Sequence, residues 1–372
     1  MRVLHVTPYF PPTWAYGGIP RVVVALARAQ VRAGAEVRVW TTDAYSSSAR
    51  ADVAPVRTLH GIEVHTSRLL SNRLAWQHQL FLPEGAPPLD AVDVVHLHGH
   101  RHLLNARAFR DASARGIPVV QTPNGTLPRH ERKIGAKRIW DALIDGHVPQ
   151  RVDALVATSR AEVRDFLLAG VDAARIRRIP NGLELEEFSE LAPRGTFRKE
   201  MGWGDEPIVA YLGQITPRKG VDHLVAACAR IPEARLVVAG SARGMKLPAG
   251  NAHYLGTLEG QQRLQLLVDA DVLVYASARE VFGLVPFEGL LCGAPVVVGG
   301  DCGCGEMIAE SGAGLLVSHG DVSALADGIR ALLTDRASAQ GMVARGQAWV
   351  RENADANSVA ARYLALYTEL LR

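Results

Sequence analysis

Cysteine and long apolar runs are both scarce in this chain. Four cysteines among 372 residues are too few for a disulfide-stapled secreted scaffold. The longest apolar stretch, residues 281–300, contains Glu288, two prolines and five glycines, so it cannot cross a membrane as a helix. The first residues lack the apolar core and cleavage site of a signal peptide. These absences favour a cytoplasmic protein.

The composition is otherwise that of a folded globular chain. Hydrophobic residues make up 48% and charged residues 21%, which excludes disordered and low-complexity classes. Because single cores stop growing near about 250–300 residues, we expect two domains.

Charge is distributed unevenly about residue 185. Residues 1–185 contain 24 Lys and Arg against 16 Asp and Glu, whereas the remainder contains 17 against 22. A basic half indicates an anionic partner, which could be nucleic acid, a membrane surface or a phosphate-bearing acceptor. A solvated basic face without a partner stays open.

Short apolar strands alternate with helices along the whole chain. This rhythm predicts two doubly wound parallel sheets on either side of a polar seam at residues 181–198. We expect an N-terminal domain, 1–185, joined by a C-terminal helix, 355–372, and a second domain, 186–354. No regular element is predicted between about residues 42 and 88. Ligands of such sheets bind at the carboxyl ends of the strands, here in a cleft between the domains.

Two candidate sites follow predicted strands in the first half. Gly17 and Gly18 open the first long helix, where glycine lets a ligand approach the backbone and free N–H groups attract oxygen atoms. An ordinary turn is the alternative. His96, His98 and His100 share one face of a strand. We interpret them as polar contacts to a substrate; a metal site is less favoured because no carboxylate is evident nearby.

Two cations precede a helix in the second half. Arg218 and Lys219 follow a predicted strand and stand before Gly220. Cationic side chains beside free helix N–H groups can hold a diphosphate, although ordinary surface cations are the alternative. Each charged hydrogen bond contributes roughly 1.5–3 kcal/mol, so loss of Lys219 should weaken donor binding by about one to two decades.

Two glutamates bracket an aromatic–glycine bend. Glu280 lies on a loop after the predicted strand 272–275, and Glu288 lies inside the following helix. A loop carboxylate can accept hydrogen bonds from sugar hydroxyls, and a helical carboxylate can hold a ribose diol. A buried glutamate in an apolar run is costly unless it is paired, so Glu288 requires an explanation.

Glu280 and Glu288, with Phe-Gly-Leu between them, resemble the signature of retaining glycosyltransferases of family 4 (glycosyl transferases group 1). Other matching segments follow in the family's order: Gly17-Gly18, the His-x-His strand end, residues 122–125, 179–182, Lys219-Gly220 and 314–321. The resemblance covers most of the chain. It implies the GT-B fold, an α/β architecture of two facing Rossmann-like domains with an interdomain cleft, the first binding the acceptor and the second the nucleotide sugar.

The resemblance also implies residue roles. His98 would assist the transition state near the anomeric carbon, Glu280 would contact hydroxyls of the transferred sugar, and Lys219 would neutralise the departing diphosphate. These three form the expected catalytic set. The expected donor-binding residues are Gly17, Gly18, Arg218, Lys219, Glu280, Phe282, Gly283, Leu284 and Glu288. Sugar transfer would retain the anomeric configuration, with cations replacing an essential metal.

Three segments depart from the family pattern. Gln214 stands where the loop often has arginine, so Arg218 would supply the phosphate cation. Asn124 stands where histidine or arginine is frequent, which affects the acceptor side. Cys302 and Cys304 make the segment 300–306 unusual, and we expect a structural or incidental role for them.

A basic run, residues 129–138, indicates what kind of acceptor the protein binds. Apolar residues recur in this run at helical spacing. Asn124, Arg129 and Lys133 are the expected acceptor-binding residues. In similar enzymes such a helix contacts anionic membranes. We therefore expect a glycan, lipid-linked or small-molecule hydroxyl acceptor in polysaccharide or glycoconjugate biosynthesis, with peripheral contact at the inner face of the membrane. A surface helix packed on the core is the alternative. Nucleic acid is not expected as a partner.

Two other function classes stay open. A nucleotide-sugar epimerase on the same architecture would need acid–base groups acting on the sugar ring, and a binding protein would need no catalytic group. The Glu280–Glu288 pattern favours transfer. No cofactor is expected beyond the nucleotide sugar that serves as co-substrate.

Overall fold

The computed structural model describes residues 1–14, 18–46, 49–78, 80–128, 135, 140–141, 144, 147–242 and 250–372. Contacts divide the chain into two compact units. Unit 1 comprises residues 1–183 with 354–372, and unit 2 comprises residues 184–353. Within the described ranges, no helix has the length and apolar character needed to span a bilayer.

Unit 1 contains eight strands and six helices within its described residues. The strands are β1 (Arg2–Val6), β2 (Glu36–Thr42), β3 (Val56–Leu59), β4 (Ile62–Ser67), β5 (Val94–His98), β6 (Val119–Thr122), β7 (Ala154–Ala157) and β8 (Ile176–Arg178). The helices are α1 (Ile19–Arg32), α2 (Asn72–His78), α3 (Leu103–Ser113), α4 (Val148–Arg151), α5 (Arg160–Leu168) and, at the end of the chain, α13 (Ala356–Leu370). One sheet runs β3-β4-β2-β1-β5-β6-β7-β8, and each pairing is parallel except that of β3 with β4.

Unit 2 is a second α/β layer structure. Its strands are β9 (Ile208–Leu212), β10 (Arg235–Ala239), β11 (Ala252–Tyr254), β12 (Val272–Tyr275), β13 (Val296–Gly299) and β14 (Gly314–Val317). Its helices are α6 (Thr196–Met201), α7 (Val221–Cys228), α8 (Gly260–Asp269), α9 (Leu284–Leu291), α10 (Gly303–Ser311), α11 (Val322–Thr334) and α12 (Arg336–Asn353). The wholly parallel sheet runs β11-β10-β9-β12-β13-β14.

The central strands of both sheets consist of residues that are buried throughout. Every residue of β5, β7, β9, β12 and β13 is buried. Helices on both faces of a parallel sheet remove both strand faces from water, so continuous apolar runs form these strands. This is the physical basis of the α/β prediction, which the two sheets confirm.

The expectation of an irregular stretch between residues 42 and 88 is wrong. β3 and β4 form an antiparallel hairpin there, and α2 follows. Its two-residue turn is His60-Gly61, with φ values of 51° and 78°. Two consecutive positive φ angles are the conformation that matches the twist of a tight hairpin. The short strands and the histidine in the turn gave too weak a pattern to predict it.

Other elements also differ from the sequence prediction. The strands β11 and β14 and the helices α6, α10 and α12 were not predicted. The sequence also predicts a helix at residues 138–151. The structure shows α4 at its end, and most of the remainder lies outside the described residues.

The last helix, α13, packs into the core of unit 1, although unit 2 precedes it in sequence. Ala356, Ala360 and Tyr363 lie in one apolar cluster with Val3 of β1 and Leu26 of α1. The start of α13 packs closely on Gly182, because a Cβ on this glycine would lie 2.9 Å from the Ala356 Cα. Unit 1 is therefore completed only by the end of the chain.

A glycine in α12 sets how closely that helix approaches α9. A Cβ at Gly346 would lie 2.7 Å from Leu290 Cδ1 and 3.0 Å from Ala313 Cβ. We expect Gly346→Ala to destabilise the protein by about 1–3 kcal/mol, because overpacking a filled core forces neighbours apart. Gly341→Ala in the same helix meets only the end of a flexible arginine and should stabilise by about 0.5–1 kcal/mol. Urea unfolding of both variants checks this; equal effects would contradict the packing described.

Candidate active site

Lys219 and Glu280 meet at the carboxyl ends of two adjacent strands. Lys219 closes a short 3-10 turn, residues 217–219, after β9, and Glu280 follows β12, which pairs with β9 in parallel. The Lys219 ammonium contacts Glu280 Oε2 and donates to the Tyr275 hydroxyl at 2.8 Å. Tyr275 in turn donates to Glu280 Oε2 at 3.0 Å. One carboxylate oxygen of Glu280 therefore accepts hydrogen bonds from both a cation and a phenol hydroxyl.

The surroundings of this cluster favour an ionised carboxylate. Burial raises the pKa of Glu280, but the charges of Lys219 and Arg218 and the hydrogen bonds from Lys219 and Tyr275 together outweigh burial, so the pKa of the carboxyl lies below its ordinary value. Burial and the nearby Glu280 charge raise the pKa of Tyr275, which keeps its hydroxyl protonated. Lys219 Nζ also lies 4.7 Å from the centroid of the Tyr275 ring. The cluster thus holds one anion and one cation in fixed positions.

Gly283 lets the chain turn sharply next to the cluster. Its φ is 69°, and a Cβ would lie 3.1 Å from both Glu280 Cγ and Tyr275 Cε1. α9 begins at Leu284, so its first N–H groups have no partner within the helix. The Phe282 side chain is 1% exposed and packs on Phe287, so it anchors the bend in the core.

Glu288 lies inside α9 with its carboxylate buried, and its partner is Arg263 of α8. Arg263 Nη1 lies 2.6 Å from Glu288 Oε2, and Arg263 Nη2 lies 2.5 Å from Glu187 Oε1. The side chain of Glu288 is 1% exposed and that of Arg263 is 8% exposed. This ion pair is the explanation that a glutamate in an apolar helix requires.

The other predicted donor residues are less closely gathered. Arg218 is exposed, and its carbonyl accepts from the Ala278 N–H at 2.9 Å, which ties the two loops together. Gly18 is the exposed N-cap of α1 in unit 1, and Gly17 lies outside the described residues.

On the acceptor side, only Asn124 of the three predicted residues is described; Arg129 and Lys133 lie outside the described residues. Asn124 has a φ of 51°, and its Oδ1 accepts from Asn181 Nδ2 at 3.1 Å. The adjacent Gly125 N–H donates to Glu162 Oε1 at 2.7 Å. Burial raises the pKa of Glu162, and the N–H groups of Thr158 and Gly125 oppose that rise. A buried carboxylate therefore holds the loop that carries Asn124.

His98 is 1% exposed and belongs to a buried hydrogen-bond network. Its Nε2 lies 2.9 Å from Nδ1 of His5 in β1, and His5 Nε2 lies 2.7 Å from Oε1 of Gln30 in α1. His96 Nδ1 lies 2.7 Å from the Tyr367 hydroxyl of α13, and His96 Nε2 lies 2.8 Å from Thr122 Oγ1. Desolvation lowers the pKa of His5 to about 4 and lowers the pKa values of His96 and His98 in the same direction.

The strand β5 ends at His98, so His100 lies beyond the strand on which it was predicted. His5, not His100, joins His96 and His98 in the one group of described residues whose ring nitrogens are close enough for a shared metal ion. His100 Nε2 instead lies 3.8 Å from Asp141, a carboxylate that sequence spacing did not reveal. Four of the six ring nitrogens in the group bond to one another or to Gln30 and Tyr367, and a fifth bonds to Thr122. These contacts are those of a hydrogen-bond network.

An Asp-x-Asp sequence, Asp269-Ala270-Asp271, precedes β12. Asp269 accepts from the Gly195 and Arg198 N–H groups, and Asp271 accepts from the Ile208 N–H at 2.8 Å. Arg198 Nη2 also donates to Asp271 at 2.6 Å. Both carboxylates therefore stabilise the entry to the sheet, at the end opposite to Glu280.

A cavity of about 850 Å³ lies in unit 1 beside α3. Its lining combines apolar side chains with three arginines and includes Leu70, Phe109, Ile144, Arg107, Arg110 and Arg151. Arg151 stands over the Phe109 ring at 5.2 Å. Leu70 and Ile144 are exposed. The cavity can hold an apolar group next to an anionic one.

Sequence reasoning missed Tyr275, Arg263, His5 and Gln30. Tyr275 is the polar end of an otherwise apolar strand, and His5 interrupts the apolar run of β1; both were usable signals, because a buried polar group needs a partner. Arg263 and Gln30 lie in helices whose sequences give no sign of their distant partners.

Each half of the chain matches the model of a known protein family. The family model described as Glycosyltransferase Family 4 matches residues 16–187, and that described as Glycosyl transferases group 1 matches residues 193–349. The D-inositol 3-phosphate glycosyltransferase of Xylanimonas cellulosilytica is 32% identical over 90% of this chain and 88% of its own.

Solved structures agree at the level of the fold. The sucrose-phosphate synthase of Thermosynechococcus elongatus has a TM-score of 0.77 and 22% identity, with 99% of this chain and 98% of that chain covered. Anabaena HepE in complex with UDP-glucose has a TM-score of 0.74 and 20% identity, with 98% and 99% covered. The predicted GT-B fold is confirmed.

Removal of the Arg263 guanidinium should lower the free energy of unfolding, because Glu288 is then buried without a counter-ion. We expect Arg263→Met to destabilise the protein by about 3–5 kcal/mol, because it leaves a buried carboxylate without its counter-ion. Adding Glu288→Gln should recover most of the loss. The exposed ion pair of Arg330 supplies the control, since Arg330→Met should cost less than about 1 kcal/mol. Urea unfolding measures all three; a double variant no more stable than Arg263→Met would contradict the pairing.

Proposed function

The chain belongs to glycosyltransferase family 4, and from that premise we propose that it moves a sugar, with retained anomeric configuration, from a nucleotide diphosphate sugar to a hydroxyl of a phosphate-bearing acceptor. Glycosyltransferase activity with a nucleotide sugar follows from family membership. The observation that carries the finer proposal is the Lys219–Glu280–Tyr275 cluster at the carboxyl ends of β9 and β12.

The cluster suits a reaction in which an anion leaves a sugar. The C1–O bond to the diphosphate breaks while the acceptor oxygen bonds to C1 on the same face, and the acceptor proton passes to the leaving phosphate oxygen. Lys219, with Arg218 beside it, would stabilise the charge that develops on the diphosphate. Glu280 would accept hydrogen bonds from sugar hydroxyls. Because Tyr275 and Lys219 already hold the Glu280 carboxylate in place, the carboxylate needs no reorganisation when the transition state forms.

The remaining donor contacts come from α9 and unit 1. The N–H groups of Gly283 and Leu284, at the start of α9, would bind oxygen atoms of the sugar and phosphate. With its ring in the core, Phe282 would contribute only its backbone N–H. Glu288 would hold the ribose, with Arg263 fixing the orientation of its carboxylate. Gly17 and Gly18 are the other proposed donor-binding residues.

The acceptor we favour is a phosphorylated polyol, with D-inositol 3-phosphate the first to test. Two observations support this choice: the relative of that name spans 90% of this chain, and residues 1–185 carry an excess of Lys and Arg. Asn124, Arg129 and Lys133 remain the proposed acceptor contacts.

The cavity beside α3 favours a second acceptor, a lipid-linked or membrane-borne glycan as in polysaccharide assembly. An open pocket of about 850 Å³, lined by apolar side chains and three arginines, suits an anionic lipid. Flotation with vesicles containing anionic lipid at low salt would support peripheral membrane contact; failure to float would remove it.

A panel of nucleotide sugars and acceptors tests the activity. We expect free nucleotide together with a glycosylated acceptor whose anomeric coupling, read by NMR, matches that of the donor. An altered sugar on an intact nucleotide would indicate an epimerase instead, and binding without product would indicate a binding protein. An inverted anomeric coupling would overturn retention.

Loss of the Lys219 charge should weaken donor binding. We expect Lys219→Met to weaken donor binding by about one to two decades, the equivalent of one charged hydrogen bond. Lys199→Met is the matched control, because Lys199 is an exposed lysine of the same unit. Calorimetric titration with the donor compares them. Equal affinities for both variants would contradict the role given to Lys219.

Removal of divalent metal should leave the rate unchanged, because fixed cations are proposed to take the metal's place at the diphosphate. We expect the initial rate in excess EDTA to match that in magnesium. A rate that falls with EDTA and returns with magnesium would contradict this.

A further inference from the structure

The network around His98 has an unpartnered polar atom at its end. His98 Nε2 bonds to His5 Nδ1, whereas His98 Nδ1 is buried and has no hydrogen-bond partner. The backbone carbonyl of His98 accepts from Asn105 Nδ2 at 3.0 Å, which fixes the end of β5. The state of this Nδ1 atom, proton or lone pair, is set by the residues behind it.

The bonds behind His98 permit only two consistent proton arrangements. In the first, His5 Nε2–H donates to Gln30 Oε1, and His98 Nε2–H donates to His5 Nδ1. His98 Nδ1 then carries a lone pair. In the second, the Gln30 amide is reversed, every donor and acceptor exchanges its role, and His98 Nδ1 carries a proton.

The contacts of Gln30 and the burial of His98 favour the first arrangement. Gln30 Oε1 faces His5 Nε2 at 2.7 Å, whereas Gln30 Nε2 donates to the Tyr367 hydroxyl at 3.4 Å. Tyr367 can then donate to His96 Nδ1. The second arrangement would leave a buried N–H at His98 without an acceptor, and orphaned buried donors are rarer in proteins than orphaned acceptors.

We propose that Gln30 and His5 are positioning residues that hold His98 as the neutral Nε2–H tautomer, so that its Nδ1 lone pair accepts a hydrogen bond from a hydroxyl of the donor sugar. The contact with sugar rests on the proposed function, whereas the tautomer does not. An aligned lone pair selects a group that donates a hydrogen bond, and it disfavours a carboxylate at the same place.

The titratable groups that face the network come from three elements. His96 lies on β5, His5 lies on β1, and Tyr363 and Tyr367 lie on α13. Burial raises the pKa of both tyrosines, with Glu162 adding to the rise at Tyr363. The histidines are therefore the groups in the network that can change charge below neutral pH.

Nitrogen NMR of the wild-type protein, labelled with 15N at histidine, tests the tautomer without substrate. We expect His98 Nδ1 to resonate as an unprotonated ring nitrogen and Nε2 as a protonated one, and Gln30→Met to remove this preference. His98→Gln assigns the signals. A protonated Nδ1, or metal-type shifts on addition of zinc, would overturn the proposal.

Transfer kinetics test the positioning role. We expect Gln30→Met to lower kcat/KM by about 10- to 100-fold, the range found when a metal-ligating histidine loses the partner that orients it. Gln30→Glu keeps an acceptor for His5 and should restore activity near neutral pH. Its carboxylate favours the imidazolium and raises the histidine pKa, so activity on the acid side should be lost at a higher pH than in the wild type.

Gln150→Met is the matched control, because Gln150 is a glutamine of unit 1 that donates to a backbone carbonyl, Ala169 O, away from the network. Its kcat/KM should equal that of the wild type. If Gln30→Met behaves as Gln150→Met does, the positioning role is wrong. A wild-type protein without transferase activity would contradict the proposed function, and the NMR result alone would then decide the tautomer.

Discussion

The pairing of Lys219 with Glu280 is the interaction on which the proposed chemistry depends. A buried carboxylate at the carboxyl end of an apolar strand is costly without a partner, because desolvation disfavours its charge. The ammonium of Lys219 and the hydroxyl of Tyr275 compensate for this desolvation, and they also fix where the charge stands. Two opposite charges held at a strand end can meet two different parts of one ligand, a neutral sugar and an anionic phosphate.

The parallel sheet explains why these residues meet. β9 and β12 are neighbours in space but about sixty residues apart in sequence, and their carboxyl ends lie at the same edge. The same rule operates in unit 1, where β1, β5 and β6 bring His5, His98 and Thr122 together. Each unit therefore forms its polar cluster from residues that are far apart in the sequence. Buried partners stabilise these residues: Arg263 pairs with Glu288, and Gln30 bonds to His5.

Much of the fold could be predicted from the sequence, because buried parallel strands are continuous apolar runs; β12, for example, has the predicted bounds 272–275. The β3–β4 hairpin was missed because its turn uses a left-handed histidine before Gly61. In the site, the residues matching a known pattern, Glu280 and Lys219, were predicted and do meet. Arg263 and Gln30 were not, since their roles depend on distant partners that only the tertiary structure supplies. Tyr275 was also missed, although a polar residue at the end of an apolar strand is a usable signal.

The most direct test of the central claim is a crystal structure with a nucleotide diphosphate 2-fluoro sugar, a donor analogue that resists transfer. The account predicts sugar hydroxyls on the Glu280 carboxylate, the diphosphate on the Lys219 ammonium, and the ribose on Glu288. An analogue bound elsewhere, with the Lys219–Glu280 pair untouched, would contradict it.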